Sequence, residues 1–520
     1  MKLSIIGAIF LLVLTQFSSA YKILFMGPFP APSHWLWLEH FVNELVSRGH
    51  QVTTITNFPS KQPNENLTEI ILNPKFDIPK YYPKSSIFNM RFSSDFQNLQ
   101  MWWELGVRTS EYALNNAKVK KFIQSDEKFD LIILEQFFHE SFLMFAHKFN
   151  APIVTIGTMG YADNMDHTMG LLTPLSIVPH LLLSYTDNMS FKERAYNTYL
   201  SLYDYVFRRW HYMPQMQDMA ERHFKDAIKG PLPSVRDLEK NISLMLVNSH
   251  RSLDLPRPSM PGLVDIGGIH IKPAKPLPKD LKEFIDNSKN GVIYFSLGSY
   301  MKSTDMPPEK IQIILKAFSK VKQNVLWKYE DDSIKNLPKN VMIKKWMPQN
   351  DILAHKNVIL FITHGGLFGT QEGTHWGKPM LCIPLYGDQH RNTIKAVREG
   401  YALSLVFSAL TETKIITMIK ELTENPQYTH KAKELSALFR DNPIHPKDEA
   451  MFWIEYVIRN KGAPKLKSYG VHVPFYKYLL LDVFFVFLGC VCIIFILTFK
   501  ILKFVISIFK KTQPSKTKNE

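Results

Sequence analysis

With 520 residues the chain is too long for a single hydrophobic core, so at least two domains are expected. Apolar residues make up 45% of it and charged residues 21%, the balance of a globular protein and not of a disordered one. The formal net charge of +15 does not point to nucleic acid, because the lysines do not cluster in the body of the chain and no basic-aromatic motif accompanies them.

The opening residues 1–20, MKLSIIGAIFLLVLTQFSSA, place Lys2 before an apolar stretch and end in small residues at Ser18 and Ala20. That is the layout of a secretory signal peptide, with cleavage expected after Ala20; the apolar stretch is too short to cross a bilayer. The mature chain begins with a strand, YKILFM, and a loop, GPFPAPSH. Leu38, Phe41, Val42, Leu45 and Val46 then recur at helical spacing, Gly49 closes the helix, and QVTTIT is the next strand. Such a unit seeds a parallel doubly wound sheet, with FDLIIL (129–134) and APIVTIG (151–157) as later strands of a domain over residues 21–255. A proline-rich connection at 256–280 leads to a second series, GVIYFSLGS, NVLWKYE, NVMIKKW, VILFITHGG and KPMLCIPL. This second domain covers residues 281–470 and ends in an amphipathic helix at 448–463. The expected fold class is therefore α/β, with two Rossmann-like domains facing a cleft.

Residues 483–499, VFFVFLGCVCIIFILTF, carry no charge, and with the preceding leucines they reach the roughly 20 residues a bilayer needs. A transmembrane helix is expected over 478–499, followed by a basic tail at 500–520 that begins with Lys500, Lys503, Lys510 and Lys511. The positive-inside rule makes this tail cytosolic and the body lumenal, a single-pass type I arrangement. Cys490 and Cys492 lie in the apolar segment and Cys382 stands alone in the body, so no disulfide framework is expected. Asn66, Asn188 and Asn241 head glycosylation sequons.

The stretch FITHGGLFGTQE (361–372) breaks an apolar strand at His364, Gly365 and Gly366 and turns into a helix. A helix start of this kind binds anions through free backbone N–H groups and the helix dipole. Trp346 follows a strand where an aromatic ring can stack on a nucleobase. Glu372 lies about two helical turns beyond His364, suited to ribose hydroxyls, and Asp388 with Gln389 follows another strand.

The run at 346–389 resembles the signature of UDP-dependent glycosyltransferases, and the resemblance extends over nearly the whole chain, closest to the arthropod members of the animal membrane-bound branch. It implies the GT-B arrangement of the two domains and residence in the endoplasmic reticulum membrane. It also implies that Trp346 stacks on uracil and Gln349 helps hold the uridine, while Glu372 accepts from ribose hydroxyls. His364, the backbone near Gly366, Ser299 and Arg257 would bind the diphosphate, and Asp388 and Gln389 would contact the sugar. His34, where the first loop meets the first helix, would be the general base. The positive end of a helix works against an added proton on a histidine placed there.

The base needs an anionic partner, which the family supplies as an aspartate after the strand FDLIIL. Here no aspartate follows; Glu135 and Glu140 are the candidates, with Glu140 slightly favoured. Phe368 stands where many members carry asparagine, and Gly373 where alanine is usual. The implied reaction is inverting transfer of a hexose, glucose favoured, from a UDP-sugar to a hydroxyl of a small lipophilic acceptor. The acceptor surface is expected from MWWELGV and the Met-rich stretch that follows Thr158. No Asp-x-Asp triplet occurs, so neither a bridging metal nor a further cofactor is implied. Lys516 and Lys518 are spaced like a dilysine retrieval signal, and a homo-oligomer is left open. Two alternatives stand beside this reading: an inactive homologue that only binds UDP-sugar, and a nicotinamide-dependent oxidoreductase. The second lacks its glycine fingerprint after the first strand.

Overall fold

The computed structural model describes residues 20–83, 94–331, 334 and 337–511, and the chain divides after Lys467 into two compact units. The first unit holds two sheets. One contains β1 (Lys22–Gly27), β2 (Gln51–Thr56), β3 (Leu67–Ile71), β4 (Leu131–Glu135), β5 (Ile153–Gly157), β6 (Ile242–Val247) and β7 (Leu263–Asp265), in the order β3-β2-β1-β4-β5-β6-β7. The other contains β8 (Val292–Ser296), β9 (Asn324–Lys328), β10 (Val341–Lys344), β11 (Val358–Thr363), β12 (Met380–Cys382) and β13 (Ala402–Ser404), in the order β10-β9-β8-β11-β12-β13. All pairings in both sheets are parallel. β4 and β8 are buried at every position, as strands covered on both faces must be.

Each strand order reverses once, between β1 and β4 and again between β8 and β11. At such a switch point the loops leaving neighbouring strands diverge to opposite faces and open a crevice. The helices that bear on these crevices are α1 (Pro32–Ser47), α2 (Asp95–Asn115), α3 (Leu367–His375) and α4 (Gln389–Arg398), whereas α5 (Pro446–Arg459) packs into the core of the first domain. Pro32 starts α1 at a position that needs no N–H donor, and Trp35, Leu38, Phe41, Val42, Leu45 and Val46 bury its inner face. Gly49, at φ +86°, ends it: Gly49 N–H donates to the Val46 carbonyl at 3.0 Å and His50 N–H to that of Leu45 at 3.1 Å.

Two boundaries differ from the sequence expectation. β7 lies inside the expected connection yet pairs with β6, its three residues being too few for any periodicity to register. The late helix α5 does not close the second domain; its Ala450, Met451, Ile454 and Val457 join the core of the first, with Ile23, Phe41 and Leu244. Helical spacing marks an apolar face but not the sheet that receives it.

The second unit holds a short helix, Phe475–Tyr478, and α6 (Leu481–Lys511). Leu480, at φ +54°, separates them, so α6 starts later than the expected span and continues through Lys500 and Lys503 to Lys511. Lysine is a good helix former, which lets the helix outrun its apolar part. With a mean hydropathy of 2.7 over its most apolar stretch, α6 is long and apolar enough to cross a membrane. The expected signal peptide ahead of Ala20 and the lysines at 516 and 518 lie outside the described residues.

Candidate active site

Adjacent parallel strands end side by side, and the first switch point uses this to join residues distant in sequence. The loop after β1 delivers His34 in the first turn of α1, and β4 ends on Glu135. His34 Nδ1 lies 2.6 Å from Glu135 Oε1. Thr158, just past β5, donates its hydroxyl to the same Oε1 at 3.1 Å and lies 3.1 Å from His34 Nδ1. Glu135 Oε2 has no hydrogen-bond partner among the described residues, so the bonding of this buried carboxylate is concentrated on Oε1. The rings of Phe29 and Phe137, with centroids 5.2 and 4.8 Å from that of the imidazole, flank His34. With Nδ1–H donated to the carboxylate, Nε2 carries the lone pair.

The sequence favoured Glu140 as this partner, and the geometry places Glu135 there instead. Beyond β4 the chain passes through Phe138, at φ +59°, into a short 3-10 turn that aims Glu140 away from the cleft. Glu140 accepts from Arg208 Nη2 at 2.8 Å and from the Tyr212 hydroxyl at 2.6 Å.

The second switch point supplies a different chemistry. α3 follows β11 almost directly, with Gly366 as its N-cap and no side chain closing the first turn, so its leading N–H groups are available to an anion. His364 is held by two glycines. A Cβ on Gly298 would stand 2.7 Å from His364 Cε1, and one on Gly366 would stand 2.5 Å from Nε2. Burial, with Lys328 adding repulsion, lowers the His364 pKa to about 4, so near neutrality this ring offers an N–H and no charge. Ser299 follows Gly298, and Trp346 is 67% exposed, leaving ring surface for stacking. Gln349 donates to Glu372. Burial pushes the Glu372 carboxyl up to about 7, against the Gln349 hydrogen bond and with the charge of Asp351 adding to it.

Asp388 accepts from Asn392 Nδ2 at 2.7 Å, and its burial raises its pKa. Gln389 Oε1 accepts from the backbone N–H groups of Leu385 at 2.8 Å and Tyr386 at 3.1 Å, so its carbonyl shapes the loop before α4. His34, Ser299, Trp346, Gln349, His364, Gly366, Glu372, Asp388 and Gln389 all line one cavity of about 470 Å³. Arg257 does not. Its guanidinium is ion-paired with buried Asp166 and lies over the Tyr161 ring at 4.6 Å, so its charge is spent within the first domain. The diphosphate role expected of it is not supported.

Sequence reasoning missed two residues of this site and misjudged a third. Thr158 follows β5, and Lys328 ends β9, its ammonium bonded to the Gly298 carbonyl at 2.8 Å and to Glu330 at 2.9 Å. Both stand at carboxyl ends of strands, the signal that would have found them. The third is Phe368, which lies near-parallel to Trp37 of α1 at 6.1 Å and meets His270 edge-on at 5.6 Å. What reads in sequence as a lost polar donor is an apolar contact between α3 and α1. Gly373 has a similar explanation, since a Cβ there would lie 2.9 Å from Met380 Sδ and 3.2 Å from Phe361 Cδ1. In α2, Trp102 lines the cleft together with Met159, whereas Trp103 turns into a separate cavity of about 850 Å³ in the first domain.

A family model described as "UDP-glucoronosyl and UDP-glucosyl transferase" matches residues 23–516. "UDP-glucosyltransferase 2" of Dactylopius coccus is 36% identical over 477 residues, covering 91% of this chain and 90% of that protein. "UDP-glucuronosyltransferase 2B33" of Macaca mulatta is 32% identical over 492 residues, covering 89% and 90%. Among solved structures, the spinosyn forosaminyltransferase SpnP matches with a TM-score of 0.58 at 15% identity, covering 85% of this chain and 100% of that one. The glycosyltransferase VinC in complex with DTDP matches at 0.57 and 15%, covering 84% and 100%. These structures share the fold, two α/β domains in the GT-B arrangement. By the family match and by identity sustained over nine-tenths of its length, the chain belongs to the UDP-glucuronosyl and UDP-glucosyl transferase family and is a UDP-glycosyltransferase.

Proposed function

We propose that this enzyme transfers a hexose, glucose in preference to glucuronate, from UDP to a hydroxyl of a small lipophilic acceptor with inversion, His34 acting as general base. The observation that carries the reading is the buried 2.6 Å contact between His34 and Glu135, in the cavity that also receives the N-terminus of α3. His34 Nε2 takes the proton of the acceptor hydroxyl as its oxygen attacks the anomeric carbon. The bond from that carbon to the β-phosphate oxygen breaks, and its electron pair leaves with UDP. Glu135 stabilises the imidazolium so formed. Charge growing on the leaving diphosphate meets the α3 N–H groups, the His364 N–H and the Lys328 ammonium, oriented before the reaction begins. The absence of an Asp-x-Asp triplet supports a reading without a bridging metal.

Two features favour a neutral hexose. Asp388 lines the cavity close enough to His34 to feel its charge, and a hexuronate carboxylate would sit against it. Arg257, the guanidinium expected at the diphosphate, is paired with Asp166 and does not line the cavity, so it offers such a carboxylate no counter-charge. The lipophilic acceptor is supported by the aromatic wall beside His34, formed by Phe29, Phe137 and Trp102 with Met159. The His34–Glu135 contact also favours an active enzyme over an inactive homologue, because a glutamate stands in for the missing aspartate. Anchoring by α6 in the endoplasmic reticulum membrane, with the cleft lumenal, is the localisation that fits a signal peptide at one end and a basic flank at the other.

His34→Ala should lower transfer about 100- to 10,000-fold while UDP affinity, set mainly by the other domain, holds. Glu135→Gln should lower turnover in folded protein. Glu140→Gln should instead lower the unfolding temperature, because it strips a buried partner from Arg208. A larger kcat loss in folded Glu140→Gln than in Glu135→Gln would reassign the pair.

A further inference from the structure

We propose that Gln371, Asn248 and Thr158 form a positioning relay that sets the His34–Glu135 pair by the placement of α3. It rests on His34 being the base. A continuous line of hydrogen bonds runs between the two domains. Gly268 N–H donates to Gln371 Oε1 at 3.0 Å, and Gln371 Nε2 donates to Asn248 Oδ1 at 2.9 Å. Asn248 Nδ2 donates to the Thr158 carbonyl at 3.0 Å, and the Thr158 hydroxyl donates to Glu135 Oε1 at 3.1 Å. Gln371 and Asn248 are fully buried, and Thr158 and Glu135 are 1% exposed.

The direction of this line is fixed at both ends. A backbone donor at Gly268 forces the Gln371 carbonyl toward it and the amide nitrogen toward Asn248. A backbone acceptor at Thr158 fixes Asn248 in the same sense. Neither amide can flip without burying an unmade bond. A Cβ on Gly267 would meet the Ser249 carbonyl oxygen at 2.5 Å before reaching Gln371 Nε2 at 3.0 Å. Gln371 adjoins Glu372 on α3, the helix whose start faces the diphosphate, yet neither Gln371 nor Asn248 lines the cavity. They touch the reaction only through Thr158. Displacement of α3 therefore pulls on the residue that, with His34, bonds Glu135 Oε1.

The test uses the full-length enzyme in detergent, with UDP-glucose and a naphthol as substrates and UDP as the binding probe. Gln371→Met keeps shape and removes both side-chain bonds; it should lower kcat about 10-fold and leave the Kd for UDP within about twofold. Thr158→Val should lower kcat similarly, and Thr158→Ser should recover most of that loss. The double variant Gln371→Met, Thr158→Val should fall no further than the worse single, because both break one chain. Multiplying losses of about 100-fold, or a changed Kd with kcat intact, would reduce these residues to a domain contact. If Gln371→Met does not fold, Asn248→Asp, which keeps the acceptor for Gln371 and removes the donor to Thr158, carries the test; unchanged kcat there overturns the relay. An active His34→Ala would overturn the base itself, whereas inactive His34→Ala beside multiplying relay variants would overturn the relay alone.

Discussion

At the proposed nucleotide site, the buried carboxyl of Glu372 would tie binding to pH. Its pKa is pushed from 4.5 to about 7 by burial, so near neutrality it is divided between two forms, of which the carboxylate is the one that the proposed ribose contact requires. Between those two values the folded protein holds a proton there that the unfolded chain has released, and stability falls as pH rises through that window. Ligand binding runs the other way. Uridine, which does not titrate near neutrality, should bind more tightly as pH rises from about 6 to about 8, by at most about tenfold per pH unit on the acid side. Glu372→Gln should flatten the profile; a flat wild-type curve would remove Glu372 from the ribose site. The sequence pointed to this glutamate by its two-turn distance from His364, a regularity of helices. The preference for Glu140 over Glu135 failed, because a positive φ at Phe138, which no spacing reveals, precedes the turn that carries the later glutamate to Arg208 and Tyr212.

α3 works as an element by giving each of its faces a separate task. Its N-terminus leaves uncapped N–H groups at the cleft, Phe368 and Gln371 reach the first domain, and Glu372 meets Gln349. Gly373 lets the helix lie close on Phe361 of β11 and Met380 of β12. The strand–glycine–helix junction was legible because glycine and a change of period mark it in any sequence. The contacts across the domains were not, since they join α3 to segments more than 100 residues away. Gly366, an N-cap in extended conformation with a negative φ open to any residue, is required by sterics alone: an added Cβ would enter the His364 ring. Gly366→Ala should therefore weaken UDP binding about 10- to 100-fold through loss of the His364 bond and the crowded helix start. In a His364→Ala background the same change should cost far less, and equal cost in both backgrounds would show that His364 is not what the glycine makes room for.

At the scale of the whole molecule, α5 binds the end of the catalytic body to its beginning. The chain returns from the second domain to pack Ala450, Met451, Ile454 and Val457 into the core of the first, and Arg48 of the first domain bonds Asp448 and Glu455 on the same helix. The three large side chains among those four are each worth about 1.5–3 kcal/mol when buried, a sum comparable to the entire stability of a domain. Sequence patterning foresaw two domains and an apolar helix, but assigned that helix to its neighbours in the chain, because periodicity carries no record of a distant partner. The compact body ends at Lys467, past α5, which makes truncation informative. Cutting after Lys467 should release a soluble protein that binds UDP as the full-length enzyme does. Cutting after Arg440 removes α5 and leaves an apolar strip of the first domain open to water, so the product should aggregate or unfold, read by thermal unfolding and UDP titration together. If the shorter form melted cooperatively near the temperature of the longer one, the returning helix would be an accessory, and the first domain would hold its core without it.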